Sequence, residues 1–237
     1  MNIAAIQLAC SPRHRAAMLR AALTAIAYAG QDEPSPDLIV LPALFEAAHP
    51  SLGHDEVFEP IHGATRAAFA EAAREWGVPI AFAMAGWDGD RRIVAGVLLD
   101  ADGDTLIVQP QMHLPQREQR GFTAGTQPIA SASPPDGVVL LPREDATNEE
   151  AWNAAAGIGA KLIVGSICTA AAKGEGKSLK DLARWARRLG VAAVIAAAAG
   201  EDHAHNGIAQ RTGIIAAGGK LIAHSTGGGT HIVTGAL

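Results

Sequence analysis

The chain has 237 residues, 49% of them hydrophobic and 18% charged, which suits one globular α/β domain spanning 1–237 with a substantial core. A formal charge of -5 and a pI near 6.0 speak against a nucleic-acid groove, which needs a concentrated basic surface. Only Cys10 and Cys168 are present, too few and too far apart for a disulfide framework or a C-x-x-C zinc spacing, so a reducing cytoplasmic setting is expected.

The N-terminus lacks the basic region of a signal peptide, and the longest apolar run, VAAVIAAAA at 191–199, is about half of what spans a bilayer. No membrane association is expected. Strand-like Ile3–Leu8 leads through Ser11 and Pro12, an N-cap and first-turn pair, into a helix with Leu19, Ala22, Leu23 and Ile26 on one face. A buried strand at 38–41 stops at Pro42 and is followed by Ala43, a residue with no acid-base chemistry. Phe69, Ala72, Ala73 and Trp76 then mark a helix, VPIAFAM a strand, and RIVAGVLLD with DTLIV a hairpin turning at Ala101–Gly103.

The second half repeats this grammar. It has a strand at 137–141, a helix at 148–157 opened by the capping box Thr147-x-x-Glu150, and a strand at 161–166. Ser178-x-x-Asp181 caps a helix at 179–189 whose Leu179, Leu182, Trp185, Ala186 and Leu189 share one side. A strand at 191–197 and a hairpin around Gly218 and Gly219 close the series. Two similar sheets packed together with helices outside are the simplest assembly of two such halves.

Four segments in order carry a resemblance: LIVLPALF, QMHLPQREQRGFTAG, PREDATNEEAW continuing into GAKLIVGS, and TGIIAAGGKLIA. They resemble LIVFPELF, YRKxHLP with E-x-R-x-F-x-P-G, ICYD…PE…GAD, and the late G-x-S-x-I-I-D-P-x-G hairpin of the nitrilase (carbon-nitrogen hydrolase) superfamily. Over essentially the whole chain, the resemblance implies a four-layer αββα sandwich and a homodimer or higher oligomer.

The chemistry it implies needs a cysteine nucleophile, a glutamate base, a lysine that stabilises developing negative charge, and a second, orienting glutamate. Carried over by position, the base falls on Ala43, the lysine on Gln111 and the nucleophile on Arg143, while Glu118 keeps the orienting glutamate and His113 the histidine of H-L-P. Asp145 and Glu150, two and seven residues beyond Arg143, and Gly159-Ala160 fit the same alignment. Ala43 cannot take a proton, Gln111 is a neutral donor, and Arg143 stays protonated.

The expectation is a noncatalytic protein, a pseudoenzyme without cofactor or metal, that binds a small carboxylate or amide or acts as a structural or regulatory subunit. The ligand-binding candidates are Arg143, Gln111, Glu118 and His113. Two outcomes differ at Arg143: a forked pair with Glu118 that plugs the site, or an open cavity in which Arg143 and Gln111 hold a small anion. The alternative is an active amidase-like hydrolase with a relocated nucleophile, Cys168. The motif Asp202-His203-x-His205 is weak as a metal site, Glu46, three residues along a turn from Ala43, is expected to point elsewhere as a displaced base, and Gly227–Thr230 reads as a flexible turn rather than a phosphate nest. Trp152 and Trp185 are the anchors expected at a dimer contact if either is exposed on the single subunit.

Overall fold

The computed structural model describes residues 1–10, 15–43, 58–168, 177–201, 207–208 and 211–237. In the first half β1 (Asn2–Cys10), α1 (Arg15–Gly30), β2 (Leu38–Ala43), β3 (Glu59–Pro60), α2 (Ala64–Trp76), β4 (Ile80–Asp88), β5 (Arg91–Leu99) and β6 (Thr105–Pro110) follow one another. The second half holds β7 (Val138–Pro142), a 3-10 turn (Arg143–Thr147), α3 (Glu149–Gly157), β8 (Leu162–Ile167), α4 (Leu179–Leu189) and β9 (Ala192–Glu201). The chain then adds β10 (Gly207–Ile208), β11 (Gly213–Ile215), β12 (Leu221–His224) and β13 (His231–Ala236).

Alternation along the strands builds the layers. Ala4, Ile6 and Leu8 of β1 face α1 and α2 in one apolar cluster, whereas Ile3 and Ala5 join a second cluster with Leu38, Leu98, Val138 and Val164 from both sheets. On β7, Val138 and Leu140 enter that central layer, while Val139 and Leu141 pack with Trp152, Leu182 and Trp185 under α3 and α4. Three apolar clusters between four layers make the αββα sandwich. Strand order runs β12-β11-β9-β1-β2-β4-β5-β6, and the two sheets join where Leu8–Cys10 pair in parallel with Ala198–Gly200. A Cβ on Gly96 would lie 2.9 Å from Leu140 Cβ, so this glycine sets how closely β5 and β7 approach across the sandwich.

Several boundaries differ from expectation. The strand at 38–41 continues through Pro42 to Ala43, which pairs with Ala83, because a register shift between Val40 and Ala43 accommodates a residue with no N–H. The helix expected from Thr147 is capped one residue later. Asn148 is extended and its side-chain oxygen accepts from Glu150 N at 2.8 Å and Ala151 N at 3.3 Å, while Thr147 Oγ1 donates to Glu144 O within the preceding turn. The Ser178–Asp181 capping box is formed as written in the sequence. Strand β13, not foreseen, pairs antiparallel with β1 from Asn2↔Ala236 to Gln7↔His231.

The two tryptophans do not stand free. Trp152 is 0% and Trp185 9% exposed, their rings meet edge to face at 5.6 Å, and Trp152 Nε1 donates to Ala146 O at 2.9 Å. Both rings fill the layer beneath α3 and α4, which removes the role of dimer anchor assigned to them. No helix among the described residues is long and apolar enough to cross a membrane.

Candidate functional site

The site forms where β7 ends. Pro142 closes the strand, and Arg143 turns the chain with a φ of 50°, the one positive φ at a non-glycine residue among those described. A bulky side chain in the left-handed region costs about 1–2 kcal/mol, a strain that clusters at functional positions. The turn that follows can lie flat on β8 because residue 165 is glycine: a Cβ there would sit 2.9 Å from Ala146 Cβ and 2.7 Å from Ile195 Cδ1.

Three consecutive residues of the turn each grip the segment 111–118. Arg143 Nη1 donates to Glu118 Oε2 at 2.6 Å, and Nη2 donates to Glu118 Oε1 and to Glu144 Oε1, both at 3.1 Å. Gln111 Nε2 donates to the other oxygen of Glu144 at 2.7 Å and to His113 O at 2.8 Å. Asp145 accepts from Met112 N at 2.7 Å, His113 N at 2.8 Å and the His113 ring at Nδ1, 2.7 Å. A short turn supports Glu118 from beneath, with Phe122 N and Gly121 N both donating to its carbonyl.

Arg143 and Gln111 are 0% exposed and Glu118 is 1% exposed. Burial pulls the Arg143 guanidinium toward losing its proton, but the charge of Glu144, the bond to and charge of Glu118, and the Cys168 thiol outweigh it and hold the pKa above the ordinary arginine value. The cation therefore persists. Burial also raises Glu144, helped by the like charge of Glu118 and opposed by Arg143, and burial raises Asp145 against its three hydrogen bonds. Arg143 Nε and Gln111 Oε1 find no hydrogen-bond partner among the described residues, so the desolvation of this cluster is not fully compensated.

Arg143, Gln111, Glu118 and His113 are thus brought into one hydrogen-bonded group. The alternative of Arg143 and Gln111 facing an open cavity does not match this geometry, since both Nη groups of Arg143 and Nε2 of Gln111 are taken by Glu118, Glu144 and His113 O. Ala43 and Cys168 belong to the apolar cluster under α1 and α2, both essentially fully buried, Cys168 near enough to Arg143 to bear on its electrostatics, and Ser166 Oγ near the end of β8 donates to Leu41 O at 2.9 Å, tying the two sheets together. Glu144 escaped the sequence reading. The signal was the run Arg143-Glu144-Asp145, which sets two carboxylates directly after a cation bound for the interior.

Glu46, Asp202, His203 and His205, with His49 and His54, lie outside the described residues. The turn at Gly227–Thr230 is anchored rather than free: Gln7 Nε2 donates to Gly227 O at 2.8 Å and Gly229 O at 3.0 Å, and Ala9 N donates to Thr230 Oγ1. Its carbonyls point at Gln7, which is no arrangement for an anion.

A family model described as carbon-nitrogen hydrolase matches residues 2–168. No curated protein sequence matches the chain. Among solved structures, the chain is similar to an amidase from Nesterenkonia sp. AN1 in a mutant form with acrylamide added at its active-site cysteine. That match has a TM-score of 0.81 at 20% identity, covering 100% of this chain and 93% of the amidase. A second form, with the acetamide moiety of fluoroacetamide on that cysteine, matches with a TM-score of 0.83 at 21% identity, over 99% and 89% of the two chains. A further mutant of the same amidase, described as from the nitrilase superfamily, matches with a TM-score of 0.80 at 20% identity. The family match over most of the chain makes this protein a member of the carbon-nitrogen hydrolase family.

Proposed function

We propose that this chain is a noncatalytic member of its family, a structural or regulatory subunit whose former active site is filled by its own side chains. The observation that carries the reading is the buried fork between Arg143 and Glu118. A guanidinium stands where the family pattern calls for a thiolate, and its partner is the retained glutamate. Ala43 offers no proton acceptor at the base position, and Gln111 offers a neutral donor already committed to Glu144 and His113. Nucleophile, base and cation are all replaced, which removes the covalent route to a nitrile or amide carbon.

The other reading keeps an active hydrolase with Cys168 as nucleophile. Its favouring observation is position: the thiol follows the last residue of β8 and lies near enough to Arg143 to bear on its electrostatics. Against it, Cys168 is 1% exposed.

Acrylamide separates the two, because a working cysteine nucleophile adds its sulfur to the terminal carbon of the alkene while the proton passes to the neighbouring carbon. Native protein exposed to acrylamide and read by peptide mass spectrometry is expected to carry no adduct at Cys168, with full labelling only after denaturation. Rapid stoichiometric labelling of native Cys168, slowed by a competing saturated amide, would overturn the noncatalytic reading.

A further inference from the structure

Glu144 stands apart from the rest of the buried group. Its two oxygens are shared between side chains from different parts of the fold, Oε1 taking Arg143 Nη2 at 3.1 Å and Oε2 taking Gln111 Nε2 at 2.7 Å. A carboxylate held oxygen by oxygen between a guanidinium and a carboxamide is the geometry of a carboxylate-binding site. Glu118 is locked at 1% exposure, whereas the Glu144 side chain is 26% exposed, so of the three charged side chains joined at Arg143 it is the one with access to water.

We propose that Arg143 and Gln111 form a binding site for a small monocarboxylate of the size of acetate, and that Glu144 occupies it as a tethered ligand of the same chain. The proposal rests on the reading of this site as filled rather than working, and it adds what the filling group mimics. The size follows from the chemistry of the tether. Truncating Glu144 to alanine removes Cγ, Cδ, Oε1 and Oε2, which are the heavy atoms of acetate. Formate lacks the carbon that stands for Cγ, propionate carries one more that meets the alanine Cβ, and acetamide turns a donor toward donors. A ligand on a short tether acts at an effective concentration in the millimolar range or above, so free acetate competes poorly in the wild type.

Burial and the negative charge of Glu118 work against the ionised form of Glu144, while the charge of Arg143 and the bond from Gln111 work for it. A free carboxylate meets the same opposition from Glu118, and the two binding donors are unchanged by truncation.

The test is thermal unfolding of Glu144→Ala in sodium acetate against sodium chloride at matched ionic strength. The variant is expected to melt below the wild type in chloride and to regain at least about 2 °C saturably in acetate. Formate, propionate and acetamide are each expected to be weaker, and the wild type to need at least tenfold more acetate. Adding Gln111→Leu to Glu144→Ala is expected to weaken acetate binding at least tenfold. Equal melting of Glu144→Ala in both salts, or acetate binding unchanged by Gln111→Leu, would overturn the proposal. If Glu144→Ala does not fold in either salt, Glu144→Ser takes its place: it too removes the whole carboxylate, acetate is expected to stabilise that variant over chloride, and failure to do so equally overturns the site. Ammonia release from amides by the wild type would remove the noncatalytic reading without touching the acetate result, so the two fail separately.

Discussion

Arg143 and Glu118 face each other as a two-pronged ion pair, Nη1 to Oε2 at 2.6 Å and Nη2 to Oε1 at 3.1 Å, with neither side chain more than 1% exposed. A buried pair of this kind contributes little net stability over an apolar replacement, but losing one partner strands the other charge. Glu118→Ala is therefore expected to cost about 3–5 kcal/mol in urea unfolding. Glu118→Leu combined with Arg143→Met is expected to cost less than the sum of the two single changes, so the coupling term of that double-mutant cycle carries the check.

Stability should fall as pH rises from the acid side, the reverse of the usual carboxylate behaviour. Glu144 and Asp145 are both held above their ordinary values by burial, so between ordinary and raised pKa the folded protein binds more protons than the unfolded chain. Their contribution is most favourable below an ordinary carboxylate pKa of about 4 and is lost as pH climbs through the raised values. Asp136 and Asp181, pulled down mainly by hydrogen bonds from Lys161 and Ser178, act in the opposite sense at more acid pH, so the diagnostic window lies above about 4. Glu144→Gln is expected to flatten the slope in that window in denaturant titrations at several pH values; an unchanged slope would show that Glu144 does not carry it.

Asp145 anchors the connection after β6 by accepting from Met112 N, His113 N and the His113 ring. An asparagine in its place would turn an amide N–H toward a backbone N–H. Asp145→Asn is expected to cost about 2–3 kcal/mol, and His113→Ala, which leaves both backbone bonds in place, about 1 kcal/mol. Thermal unfolding of the two variants side by side gives the order.

Trp185→Ala opens the layer beneath α4 and removes the edge-to-face contact with Trp152, which is expected to cost about 3–5 kcal/mol. Because both rings are spent inside the subunit, the loss should be the same at low and high protein concentration. A loss that grows on dilution would return Trp185 to an interface.

Much of the sandwich was legible because its elements carry strong local patterns. The alternation in Val138–Pro142 and Leu162–Ile167 separates residues for the central layer from residues for the helices, and Ser178 with Asp181 spells a cap that the fold forms. Strand β13 was not legible, since the ladder of HIVTGA is with β1 at the far end of the chain and six residues hold no sign of it. The helical pattern put Trp152 and Trp185 on an apolar side but could not tell a sheet from a second subunit as what covers it. At the site, position-by-position comparison named Gln111, Glu118 and Arg143, side chains that the fold joins through Glu144 and the Arg143 fork. It passed over Glu144, whose role comes from two donors meeting in space and not from a motif.

Ammonia release from a panel of aliphatic amides and nitriles reads out directly whether this chain is catalytic. The wild type is expected to release ammonia at a rate indistinguishable from buffer, with Cys168→Ser identical to it, because no activated nucleophile stands among Ala43, Gln111 and Arg143. Turnover by the wild type that disappears in Cys168→Ser would contradict the noncatalytic reading.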